Sequence, residues 1–122
     1  MKRILIVEHE EHMQTLLEYT ITPFEDVEVD WSITQSLDEA LEDIAHNHPK
    51  LLLIDADLPN DQAKRLCDEV SARRDMKIIL LIRMGQAQPN PDCQVDATLH
   101  KPFEPNELRL LIGEMLGIHV EL

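Results

Sequence analysis

"ILIVEHEEH" occupies residues 4–12. An apolar run, with Ile4, Ile6 and Val7 β-branched, ends abruptly in Glu8, His9, Glu10 and Glu11. The run does not alternate with polar residues, so both faces of such a strand must be covered. That is the signature of a central strand in a parallel sheet. Its acidic end is either a solvated edge or a site that handles cations or phosphate. Residues 51–54 (LLLI) and 78–82 (IILLI) repeat the unbroken apolar pattern. Residues 27–33 differ: Val27, Val29, Trp31 and Ile33 alternate with Glu28, Asp30 and Ser32, which predicts an edge strand with one wet face. A last short strand is expected over 96–99.

Helical spacing fills the intervals. Residues 12–21 place Met13, Leu16, Leu17 and Ile21 on one stripe. Ser36-Leu37-Asp38-Glu39 reads as a capping box opening a helix with Leu37, Ala40, Leu41, Ile44 and Ala45 inward, and His48-Pro49 closes that connection. Residues 61–72 carry Leu66, Cys67 and Val70. Pro105 suits a first helical position, with Leu108, Leu111, Ile112, Met115 and Leu116 buried and Gly117 ending the helix. Residues 83–95 hold Gly85, Pro89 and Pro91 and little helical periodicity, so a fourth helix there is short or irregular. Strands alternating with helices define an α/β sandwich with right-handed crossovers.

Composition narrows the function. A chain of 122 residues with 43% apolar content has a core of ordinary size. Aromatics are 3%, so Leu, Ile and Val supply the packing. The formal charge of −13, from 24 acids against 11 bases, argues against a nucleic-acid face and against an anionic membrane surface. Divalent cations and basic protein surfaces are the natural companions. Cys67 and Cys93 are too few for a disulfide framework or a zinc site and are read as reduced thiols of a cytoplasmic protein. No signal peptide or membrane span is visible.

In open parallel sheets, ligands sit beyond the carboxyl ends of the strands. Those ends are Glu8-His9-Glu10, Asp55-Ala56-Asp57-Leu58-Pro59, Arg83 and His100-Lys101-Pro102-Phe103. They are expected to converge in one shallow acidic pocket with a lysine as counter-charge and an arginine as a second candidate.

"ILIVEHEE", "LLLIDADLP" and "LHKPF", in this order within a β/α alternation, make nearly the whole chain resemble the receiver domain of a two-component response regulator. The resemblance implies a flavodoxin-like, doubly wound five-stranded parallel sheet of order 2-1-3-4-5, as one receiver domain over 1–122 with no output domain. It implies that Asp55 accepts a phosphoryl group from a histidine kinase or histidine phosphotransfer protein, and that Lys101 pairs with the acceptor. It further implies that Mg²⁺ is held by Glu8, Asp55 and the backbone carbonyl of Asp57. The domain would be no enzyme in its own right, and a homodimer across the usual output surface is left open. The chemistry agrees: a carboxylate attacking an anionic phosphoryl group needs nearby cations and donors to offset charge on the transferred oxygens.

Departures from the family pattern are equally plain. His9 stands where the second metal-binding acid belongs, and imidazole suits transition metals better than Mg²⁺. Ile82 replaces a Thr or Ser whose hydrogen bond to a charged group is worth roughly 1.5–3 kcal/mol. Arg83 replaces a small residue and could cover or pair with Asp55. Thr98 replaces the switch aromatic three residues before Lys101. Weakened or absent Mg²⁺ binding and weakened switching are therefore expected. The alternative is a pseudo-receiver, a phosphorylation-independent interaction module whose acidic pocket is held by Arg83 and Lys101. His9 itself is most simply an exposed loop histidine, with a new metal ligand as the lesser alternative, and Cys67 a core filler. A flavin or nucleotide binder is disfavoured, because no G-x-x-x-x-G-K-[ST] or G-x-G-x-x-G loop exists and glycines total 3.

Overall fold

The computed structural model describes residues 2–27, 29–71, 75–85, 94–120 and 122. Five strands, β1 (Lys2–Val7), β2 (Val29–Thr34), β3 (Leu51–Asp55), β4 (Lys77–Arg83) and β5 (Ala97–Lys101), form one sheet of order β2-β1-β3-β4-β5. Every pairing is parallel. Among the described residues the helices are α1 (Glu11–Ile21), α2 (Leu37–Asn47), α3 (Gln62–Val70) and α4 (Pro105–Leu116), with a 3₁₀ turn over Thr22–Val27. The doubly wound order expected from the sequence is the one observed.

The unbroken apolar runs are explained by two cores. Along β1, Leu5 and Val7 join one buried cluster with α2 and α3, while Ile4 and Ile6 join the other with α1 and α4. β3 divides in the same way, Leu52 and Ile54 against Leu51 and Leu53, all with no exposed surface. Successive side chains point to opposite faces, so a strand buried on both must be apolar at every position. β2 is the edge strand: Val29 is buried, Trp31 and Ile33 pack partly against the α1/α4 core, and Asp30 is exposed. It starts at Val29 rather than Val27, because Val27 ends the 3₁₀ turn.

Helix ends follow local chemistry. Ser36 accepts from the Glu39 N–H at 3.3 Å, as the sequence motif predicts. Glu10 caps α1 by accepting from the N–H groups of His12 and Met13 at 3.0 and 2.7 Å, and those bonds hold its carboxyl below the ordinary value. α3 begins at Gln62, one residue later than the spacing predicts. Asn60 and Asp61 both adopt φ of 58°, a left-handed step that Asn and Asp tolerate and that turns the chain before the helix starts. Ala72, its expected end, lies outside the described residues. The core of the segment expected to form a short or irregular fourth helix, residues 86–93, also lies outside them. β5 runs to Lys101, two residues further than expected, with its last residue level with Arg83 of β4.

Cys67 is a correction. It is disulfide-bonded rather than a free thiol, and the chain's other cysteine, Cys93, lies outside the described residues. A disulfide depends on tertiary proximity and leaves no sign in the local sequence pattern. The argument from reduced thiols to a cytoplasmic location falls with it.

Gly117 closes α4 in the left-handed conformation, φ 68°, as expected. Gly113 does something the sequence hides. The Ile118 N–H donates to the Gly113 carbonyl at 2.8 Å, folding the chain back onto the helix. A Cβ on Gly113 would meet Val120 Cγ2 at 2.4 Å and the Ile118 carbonyl oxygen at 2.7 Å. Alanine is the better helix former by about 1 kcal/mol, yet overpacking costs about 1–3 kcal/mol. Gly113→Ala is therefore expected to lower stability by about 1 kcal/mol in urea unfolding and to shift the amide resonances of Ile118 and Val120. A stabilised variant with an unmoved tail would contradict this packing.

Candidate functional site

The pocket lies where β1, β3 and β5 end. Glu8 is the first residue past β1, and its position is set twice: its N–H donates to the Thr34 carbonyl at 3.0 Å, and its carbonyl accepts from Gln14 Nε2 at 2.7 Å. Asp55 is the last residue of β3, and Lys101 the last of β5, followed by a cis peptide bond to Pro102. Lys101 Nζ lies 3.1 Å from Asp55 Oδ1 and 3.3 Å from Glu8 Oε2. Both carboxylates are fully buried, with 0% exposure. Three residues far apart in sequence are thus gathered at one ammonium.

Asp55 divides its two oxygens. Oδ1 accepts from Lys101 and from the Asp57 N–H at 2.9 Å, while Oδ2 lies 2.7 Å from His9 Nδ1. His9 is therefore a partner of the acid rather than a bystander on a loop. The sequence puts His9 in the pocket, at the second acid's position beside Glu8, but does not show that its ring meets Asp55 directly.

The other singled-out residues sort by distance from this centre. Arg83 reaches Asp57 Oδ1 at 3.2 Å, and both side chains are exposed. Asp55 has His9, Lys101 and the Asp57 N–H as partners; of the places open to Arg83, covering or pairing with Asp55 or standing at the pocket rim, it takes the rim. The Asp57 carboxylate is likewise turned to the rim, and its backbone N–H is what contacts Asp55. Ile82 is buried in the core shared with α2 and α3. Thr98 sits mid-strand, level with Leu80, with an exposed side chain.

Burial and repulsion give the two carboxyls opposite characters. Loss of solvent, and then the neighbouring Asp55 charge, push Glu8 from 4.5 up to about 8, against the pull of Lys101. Burial alone would also raise Asp55. The Asp57 N–H and the Lys101 ammonium outweigh that and hold it below the ordinary value. At neutral pH the pair shares one proton, Glu8 holds it, and Asp55 is the ionised member facing the ammonium. The arrangement is a buried anionic nucleophile beside a fixed cation.

A Mg²⁺ ion favours an all-oxygen octahedral shell. The groups that converge are Glu8, His9 and Asp55, whose ligand atoms lie within 4.8 Å of one another. The two carboxylates suit Mg²⁺; the imidazole that completes the set does not, and the Asp57 carboxylate is not part of it. These three side chains taken together suit Mg²⁺ less well than an all-oxygen set would.

Comparison with known proteins agrees with this fold. Residues 4–113 match the family model of the response regulator receiver domain. The chain belongs to that family. It is 27% identical over 120 residues to "Probable transcriptional regulator ycf27" of Cyanophora paradoxa, covering 94% of this chain and 48% of that protein. The chain thus spans about half the length of the curated relatives it matches. Among solved structures, a CheY-like response regulator receiver domain protein from Methanospirillum hungatei is 28% identical, with a TM-score of 0.77 over 96% of this chain and 94% of that one. The receiver domain of a signal transduction histidine kinase from Syntrophus aciditrophicus shares the fold, with a TM-score of 0.80 at 20% identity over 100% and 98% of the two chains. Among the described residues no helix is long and apolar enough to cross a membrane.

Proposed function

We propose that the chain acts in two-component signalling by accepting a phosphoryl group on Asp55 from the phosphohistidine of a histidine kinase or phosphotransfer protein. The observation that carries this reading is the Lys101 ammonium, 3.1 Å from a fully buried Asp55 at the carboxyl end of a central strand. An Asp55 oxygen attacks phosphorus; the new P–O bond forms as the P–N bond to the donor imidazole breaks, and that imidazole takes up a proton. Lys101 offsets charge on the transferred oxygens, and the Asp57 N–H holds the carboxylate in place. His9 must turn away to admit the donor, since its ring covers Oδ2. Ile82 supplies no hydroxyl to the product, and with His9 in the metal position the reading includes weakened Mg²⁺ binding and weakened switching. On this reading the domain serves as a signalling module rather than an enzyme with its own substrate.

A second reading has its own support. His9 and Lys101 engage both oxygens of Asp55, which is how a pocket closed to phosphoryl transfer would look. On that reading the chain is a phosphorylation-independent protein-interaction module. Incubation with a small-molecule phosphodonor separates the two. The intact mass is expected to rise by one phosphoryl group, and the gain to vanish in Asp55→Asn. An unchanged mass under donor excess, with and without divalent ions, favours the interaction module.

A further inference from the structure

His9 gives the pocket a nitrogen donor, and its geometry is that of a ligand. The three donor atoms from Glu8, His9 and Asp55 are already within 4.8 Å of one another. Metal–ligand distances of about 2.0–2.2 Å place neighbouring donors about 3–4 Å apart, so a small side-chain rotation closes the set on one ion. The division of Asp55 helps. Lys101 and the Asp57 N–H hold Oδ1, which leaves Oδ2, the oxygen already facing His9 Nδ1, to meet the ion. Access is open as well: the His9 side chain is 37% exposed, while those of Glu8 and Asp55 are at 0%. An ion enters past the imidazole.

We infer that this pocket takes a first-row divalent transition ion, Zn²⁺ fitting best, in preference to Mg²⁺. Two carboxylate oxygens and one imidazole nitrogen form a mixed set that borderline ions accept and that Mg²⁺, which holds its waters and seeks oxygen, does not. Three protein donors leave a coordination position for water or a phosphoryl oxygen. The inference deepens the proposed function, since it rests on reading this pocket as the acceptor site.

The test uses the full chain after chelator treatment. Calorimetric titration with ZnCl₂ and with MgCl₂ is paired with ¹⁵N spectra of the histidine rings. Zn²⁺ is expected to bind at least about a hundredfold more tightly than Mg²⁺, with the His9 ring nitrogens shifting in step. His9→Ala is expected to weaken Zn²⁺ binding about tenfold or more, and His9→Asp to narrow the preference by strengthening Mg²⁺. Zinc affinity unchanged in His9→Ala would assign the ion to other histidines and overturn the inference, as would wild-type Mg²⁺ affinity equal to that of Zn²⁺. Phosphodonor labelling of the same samples keeps the two readings apart. Labelling of Asp55 without His9-dependent zinc binding sinks the metal inference alone. His9-dependent zinc binding with no labelling sustains it and sinks the acceptor reading.

Discussion

Glu8→Gln is expected to stabilise the protein, by an amount that grows from about pH 4.5 to about pH 8 and then levels off. The wild-type carboxyl titrates near 4.5 unfolded and near 8 folded. Between those values the folded state binds more protons than the unfolded state, so its stability falls as pH rises. Above about 8 both states have lost the proton and the full penalty stands. A shift of this size corresponds to about 3–5 kcal/mol, taken as an order of magnitude because Glu8 and Asp55 share their proton. Glutamine keeps the shape of the protonated acid, can donate to Asp55 and accept from Lys101, and has nothing to ionise. Urea unfolding at pH 5, 7 and 9 checks this; wild-type and variant stabilities running parallel across that range would contradict it. Asp55 acts with the opposite sign. Its folded value is lowered, so its contribution is present above the unfolded value and is lost as pH falls through the folded one.

Lys101→Met is expected to cost about 3–5 kcal/mol at neutral pH, because removing one partner of a buried ion pair strands the other charge. The Lys101 side chain is 13% exposed and its two carboxylate partners 0%, so water cannot replace the ammonium without opening the site. Methionine preserves much of the aliphatic packing, which isolates the charge. Asp55→Asn in the same background removes the stranded anion and is expected to recover most of the loss. The two single variants and the double then give a coupling energy of about 1–3 kcal/mol. Additive effects would mean that the ammonium and the carboxylate do not depend on each other.

The fold was legible because its central strands are apolar at every position. Nothing other than burial on both faces explains Ile4 to Val7 or Leu51 to Ile54. Glu8 and Asp55 were legible because each closes such an apolar run, and Lys101 because it ends the short last strand; parallel strands deliver their ends to one side of the sheet. Less could be read where a side chain has a choice. Arg83 ends β4 as expected, yet its long flexible stem reaches Asp57 rather than Asp55. His9 follows Glu8 on a turn, and only the backbone path shows that its ring folds inward to Oδ2. The onset of α3 was missed because two consecutive left-handed residues, Asn60 and Asp61, are a conformation that spacing alone does not announce. The bond at Cys67 escaped for a related reason, since proximity across the fold leaves no mark on the local pattern.

The meeting of Glu8 and Asp55 at the Lys101 ammonium has a mechanical side. One point of attachment laces the outlets of the first, third and fifth strands together, like a single knot joining three cords. Whatever draws that nitrogen elsewhere must slacken the other two cords in the same stroke. An event at the end of β3 is then felt at the ends of β1 and β5 without any helix having to move first.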